Sequence, residues 1–88
     1  MKWNIEYSRQ AIKFAEEHNI LDTIKEEITK FLLKMNGLNL NIDVKKLLGT
    51  WKGYFRIRKG KIRIIFNVNK WGKSLYIEKI DFRGDVYK

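Results

Sequence analysis

Apolar and polar residues alternate over residues 2–7 (KWNIEY), which predicts a strand with Trp3, Ile5 and Tyr7 on one face. The period then changes. Ser8 is predicted to cap a helix, with Tyr7 stapled onto Ile12. That helix runs to about His18 and buries Ala11, Ile12 and Ala15, with Phe14 at its edge. After HNI, Asp22 is expected to cap a second helix, in which Ile24, Ile28, Phe31, Leu32 and Met35 form one apolar face. NGLN ends it, with Gly37 suited to a left-handed C-cap. Residues 43–50 (DVKKLLGT) are predicted as a connector with at most a helical turn, anchored by Leu47 and Leu48. Strands follow at about 51–58, 61–68 and 74–81, separated by KG and NKWGK.

The predicted order is β-α-α-β-β-β within one domain spanning 1–88: an α+β fold of two layers, a helical hairpin packed on one face of a mostly antiparallel sheet. The other face is left open. If Lys59-Gly60 is a two-residue turn, Arg58 pairs with Lys61, Ile57 with Ile62 and Arg56 with Arg63. Alternation then sends Phe55, Ile57, Ile62, Ile64 and Phe66 to the helices. Tyr54, Arg56, Arg58, Lys61, Arg63 and Ile65 go to the open face. An apolar face on both strands opposes a one-residue slip.

Charge changes the picture. Residues 1–43 carry six Lys or Arg against seven Asp or Glu, whereas residues 44–88 carry thirteen against three. The whole excess of +9 therefore lies in the strand-rich half, which is expected to concentrate phosphates or acidic partners. Arginines directly opposite one another, Cβ atoms about 4.5–5.5 Å apart, repel. No acid lies between residues 44 and 77 to relieve that repulsion, so an anion is expected between the guanidiniums of Arg56 and Arg63. Tyr54 on the same face suits stacking on a base. Lys45, Lys46 and Lys52 extend the basic track along a nucleic-acid backbone. Trp51 and Trp71 read as packing residues.

The familiar catalytic sets are missing. There is no cysteine, no phosphate-binding glycine loop and one histidine, His18, at a helix end. Glu16-Glu17 and Glu26-Glu27 read as solvated helix faces, which disfavours a metal-dependent nuclease and leaves no metal site or cofactor expected. Lack of cysteine fits a reducing cytoplasm, and no apolar run reaches the ~18 residues of a membrane span. RNA brings its own nucleophile, the 2′-hydroxyl. A metal-free ribonuclease need only align that group, stabilise charge on the phosphoryl oxygens and assist two proton transfers.

KKLLGTWKGYFRIRKGKIRIIFNVN followed by LYIEKIDFRGDVYK resembles the toxins of the RelE/ParE superfamily, the toxin halves of toxin–antitoxin pairs. The resemblance covers essentially the whole chain. Its RelE-like branch implies cleavage of messenger RNA in the A site of the 70S ribosome, leaving a 2′,3′-cyclic phosphate. It also implies a small cognate antitoxin in a hetero-oligomeric complex. By motif position the implied catalytic residues are Arg56, Arg63, Arg83 and Tyr87, with Arg58 among the basic strand residues. Arg56 and Arg63 would clamp the phosphate, Arg83 would stabilise the transition state, and Tyr87 would orient the nucleotide or relay a proton. Tyr54 and Arg56 stand where some members have lysines, so the general base is not identified by motif. The histidine or glutamate that other branches place in the site is not evident either. Two other readings stay open: a ParE-type inhibitor of DNA gyrase without nuclease activity, and a basic RNA-binding module that does not cut.

Overall fold

The computed structural model describes residues 2–83. It keeps the predicted order and adds one strand: β1 (Asn4–Tyr7), α1 (Arg9–Glu17), α2 (Leu21–Met35), β2 (Asp43–Lys46), a 3-10 turn (Gly49–Trp51), β3 (Phe55–Lys59), β4 (Ile62–Asn69) and β5 (Ser74–Phe82). The five strands lie in the order β1-β5-β4-β3-β2, with β1 parallel to β5 and the other neighbours antiparallel. Both helices cover one face, giving the two-layer α+β architecture read from the pattern. Ala11, Ala15, Ile24, Ile28, Phe31 and Leu32 from the helices meet Ile57, Ile64, Phe66, Leu75, Ile77 and Ile80 from the sheet in one core.

Local signals hold where the chemistry is local. Ser8 caps α1: its hydroxyl oxygen accepts from the Ala11 N–H at 3.0 Å. Asn36 ends α2, and Gly37 takes a φ of +96° just beyond it. The Gly37 N–H donates to the Lys34 carbonyl and the Leu38 N–H to the Leu33 carbonyl, the two bonds that close a helix over a left-handed residue. Asp22 is not the cap of α2. The helix starts two residues earlier, at Leu21 after Ile20, and Asp22 sits in its first turn, where a carboxylate still favours the N-terminal dipole. Ile12 is only half-buried, and Met35, predicted on the apolar face, is exposed. Glu27, by contrast, is buried rather than solvated and pairs with Lys30 at 3.3 Å.

The segment read as a connector is the edge strand β2, pairing Asp43 with Arg58 and Lys45 with Arg56. Four residues with three charges are weak as a strand signal, yet they suit an edge, where charge discourages further pairing. Leu47 is buried beyond it, but Leu48 is exposed and anchors nothing. The following strand also starts later than predicted, at Phe55, because the 3-10 turn occupies residues 49–51.

The β3–β4 hairpin has the predicted faces and a different register. Lys59 pairs with Ile62, Arg58 with Arg63, Ile57 with Ile64 and Arg56 with Ile65. Gly60 and Lys61 form the turn, Gly60 supplying a φ of +58° at its first position. Pairing has moved by two residues, so the side chains within the two strands keep their faces while each cross-strand partner changes, and Lys61 passes from strand to turn. Arg56 is therefore not opposite Arg63.

β1 ends at Tyr7 while β5 runs on, and side chains from the start of α1 take over as its partners. The Ser8 hydroxyl donates to the Glu78 carbonyl at 2.7 Å. Gln10 reaches Ile80 from both ends of its amide, donating to the carbonyl at 2.8 Å and accepting from the N–H at 3.2 Å. At the same place the β4–β5 register skips: Ile65 pairs with Lys79 and Phe66 with Ile77, leaving Glu78 as the extra residue of a bulge.

The hydroxyl of half-buried Tyr7 has no hydrogen-bond partner among the described residues. Burial raises its pKa, so its contribution to stability is intact below about pH 10 and is lost as pH rises through the folded-state value. Tyr7→Phe is expected to leave neutral-pH stability unchanged or raise it by up to about 1 kcal/mol. The same variant should lose stability less steeply in alkali. Urea unfolding at neutral and alkaline pH checks both, and a clear loss at neutral pH would mean that the hydroxyl is satisfied.

Candidate functional site

The open face of the sheet is ordered in rows by the observed register. At one end lie Asp43, Arg58, Arg63 and Asp81, each beside the next on adjacent strands. One step along the strands lie Lys45, Arg56, Ile65 and Lys79. A further step brings Asn67 and Tyr76, with Tyr54 beside them. Rows are about 7 Å apart, two residues of strand.

The end row holds two arginines and two acids, and Asp43 also reaches into the next row. Asp43 bridges two arginines, Oδ1 to Arg56 Nη2 at 3.0 Å and Oδ2 to Arg58 Nε at 2.5 Å. Arg63 lies opposite Arg58, but its guanidinium turns toward the hairpin end, where Nη1 donates to the carbonyls of Gly60 at 2.7 Å and Ile62 at 3.0 Å. Only 9% of Arg56 and 8% of Arg63 is exposed. The expected clamp, two free guanidiniums with an anion between them, is thus corrected on three counts: the residues are not opposite, both are buried, and each has protein partners. The like-charge pair exists as Arg58 with Arg63: Asp43 bonds the Arg58 guanidinium, while Asp81 lies beside Arg63 on β5 with its Oδ1 accepting from the Phe82 N–H. Asp43 lies just outside the acid-free stretch, which is why the sequence around the arginines did not reveal it.

The remaining predicted residues divide. Lys45 joins the open face beside Arg56. Lys46 does not: it pairs with Phe55, on the helix side. Lys61 also leaves the open face, its ammonium lying 4.4 Å from the ring centre of Phe82, which packs on Phe14 and His18. Turn geometry frees Lys61 from strand alternation, and the ring face attracts the cation. Arg83 is exposed just past β5, its N–H donating to the Lys61 carbonyl at 2.7 Å. Tyr87 lies outside the described residues. Lys52 is exposed after the 3-10 turn and borders an apolar hollow of about 410 Å³ that also takes in Lys46 and Phe55 from the helix side, with Leu47, Leu48, Gly53 and Tyr54. Trp51 meets the Tyr54 ring edge-on at 5.2 Å, as a packing residue should, whereas Trp71 is 98% exposed in the β4–β5 loop.

Glu78 is the residue that sequence reasoning missed. As the bulged residue of β5 it reaches the open face, where its Oε1 accepts from the Tyr54 hydroxyl at 3.3 Å. The Tyr54 pKa is raised, first by burial and then by the charge and hydrogen bond of Glu78, so the phenol stays protonated. A signal was present: Leu75 and Ile77 keep period two, but the next core residue is Ile80, three positions on, and such a break implies a bulge at 78–79.

No protein-family model and no curated protein matches the chain. Solved structures do. The RelB–RelE antitoxin–toxin complex from Methanococcus jannaschii is similar at 29% identity over 93% of this chain and 94% of that one, with a TM-score of 0.64. YafQ from E. coli strain BL21(DE3) is similar at 26% identity over 93% and 94%, with a TM-score of 0.61. The E. coli DinJ–YafQ toxin–antitoxin complex aligns over 100% of both chains at 25% identity and a TM-score of 0.68.

Proposed function

This chain belongs to the RelE-like toxin superfamily of type II toxin–antitoxin systems, and from that premise we propose that it is a ribosome-dependent endoribonuclease that arrests translation by cutting messenger RNA. The observation that carries the reading is the open face of the sheet. Lys45, Arg56 and Lys79 lie abreast on it, next to a polar row containing Tyr54, and the helices pack on the opposite face. A phosphodiester laid across the cationic row would have its charge stabilised by ammonium and guanidinium groups. A base beside it would rest against Tyr54 and the apolar hollow next to it.

In this reading the 2′-hydroxyl attacks the adjacent phosphorus and no metal is required. Arg56, fixed by Asp43, contributes a held rather than a searching charge. Arg63 supports the site from the hairpin end, Arg58 adds positive potential, and exposed Arg83 stabilises the developing charge. Tyr87 keeps the role of orienting the nucleotide. A small antitoxin would silence the protein by covering this face or displacing its substrate-binding segments, as the complexed state of the similar structures supports.

Mapping message ends after induced expression tests the proposal. New ends should appear within translated regions, and they should vanish when the start codon of the reporter message is removed. Growth arrest with intact messages and altered plasmid supercoiling would select the gyrase-inhibitor reading instead.

A further inference from the structure

The ribonuclease reading leaves the proton transfers without an owner. Arginine is a poor proton carrier, because its pKa exceeds about 12. Among the described residues the open face nevertheless holds a hydrogen-bonded acid–base couple, Glu78 with Tyr54. Glu78 reaches that face as the extra residue of a bulge. The bulge is held from behind: Ser8 takes the Glu78 carbonyl, and Gln10 takes both backbone groups of Ile80. Tyr54 is held by Trp51 on one side and packs with Leu47 and Ile65 beneath. The couple therefore sits on a fixed support, one row from Arg56 and Lys45.

We propose that Glu78 and Tyr54 are the general base and general acid of RNA cleavage. This rests on the ribonuclease reading above. The Glu78 carboxylate takes the proton of the 2′-hydroxyl as that oxygen bonds to phosphorus. The bond from phosphorus to the 5′-oxygen breaks, and the Tyr54 phenol gives its proton to the departing oxygen. The products are a 2′,3′-cyclic phosphate and a 5′-hydroxyl. The proton on Glu78 then crosses the 3.3 Å hydrogen bond to the Tyr54 phenolate, which restores both groups without an outside acid or base. The phenol, its pKa raised by burial and by Glu78, enters each turnover protonated.

The test is single-turnover cleavage on ribosomes programmed with a short message. Glu78→Gln should slow cutting by about 10²–10⁴-fold, the usual share of one proton-transfer group, with unchanged affinity for the ribosome and an unchanged melting temperature. Tyr54→Phe should also be slow. A message whose scissile 5′-oxygen is replaced by sulfur has a leaving group that needs no proton. That message should restore Tyr54→Phe and leave Glu78→Gln slow. Wild-type rates in Glu78→Gln, or a defect confined to ribosome binding, overturn the assignment of the base. Failure of the sulfur message to rescue Tyr54→Phe overturns that of the acid. If the wild-type protein itself does not cut, the ribonuclease reading falls, and the couple falls with it.

Discussion

Phe66→Ala is expected to cost about 3–5 kcal/mol, the usual loss for emptying an aromatic site in a core. Phe66 is fully buried and joins the two layers. Its ring meets Phe31 of α2 edge-on at 4.8 Å and stacks beside Phe55 of β3 at 5.6 Å. Truncation removes both ring contacts and leaves a void between a helix and a sheet, neither of which can close over it without moving the other. A domain of this length is held by roughly 4–13 kcal/mol in total. The variant should therefore lose at least about a quarter of the total stability. The site matters for a second reason: Phe66 pairs with Ile77 at the step where the β4–β5 register skips, so its packing pins the bulge that presents Glu78. Urea unfolding followed by tryptophan fluorescence gives the loss. A midpoint no lower than that of the exposed control Lys25→Ala would contradict the central role given to this ring.

How much of this was legible beforehand depended on the range of the interaction. Ser8 and Gly37 act through bonds within their own turns, and the sequence around them is sufficient. The two faces of the β3–β4 hairpin were also readable, because Phe55, Ile57, Ile64 and Phe66 mark one side. Register was not. A shift of two residues preserves every inside–outside assignment, so the hydrophobic pattern has no vote between Arg56 with Arg63 and Arg58 with Arg63; the position of Gly60 within the turn decides it. The charge argument failed for a related reason. It counted acids along the chain, while Asp43 reaches Arg56 and Arg58 from 13 and 15 residues away, across a strand too short and too charged to announce itself. Glu78 lay in the acid count all along, but its neighbours in sequence say nothing of Tyr54, 24 residues distant.

Asp43 and Arg56 can be separated by experiment into a structural and a chemical part. The side chain of Arg56 is 10% exposed, that of Asp43 40% and that of Arg58 51%. The Arg58 bridge is open to water and is worth about 0–1 kcal/mol. The Arg56 bridge is different, because its loss strands a buried guanidinium whose Nε already lacks a partner among the described residues. Breaking a fully buried pair costs about 3–5 kcal/mol, and the partial exposure of Asp43 lowers that to about 1–3 kcal/mol for Asp43→Asn. Arg56→Met removes the buried charge together with its orphaned donor and puts an apolar chain beside Ile65, so its cost should be close to zero. In the Arg56→Met background the Asp43→Asn loss should shrink to the small Arg58 share, a coupling that a double-mutant cycle measures directly. Arg56→Met should nonetheless lose message cutting, since nothing else in the cationic row offers a planar fork to a phosphate. If Arg56→Met instead unfolds as readily as Asp43→Asn and keeps its activity when folded, the guanidinium is part of the scaffold, and the phosphate must be met by Lys45, Lys79 and Arg83 alone.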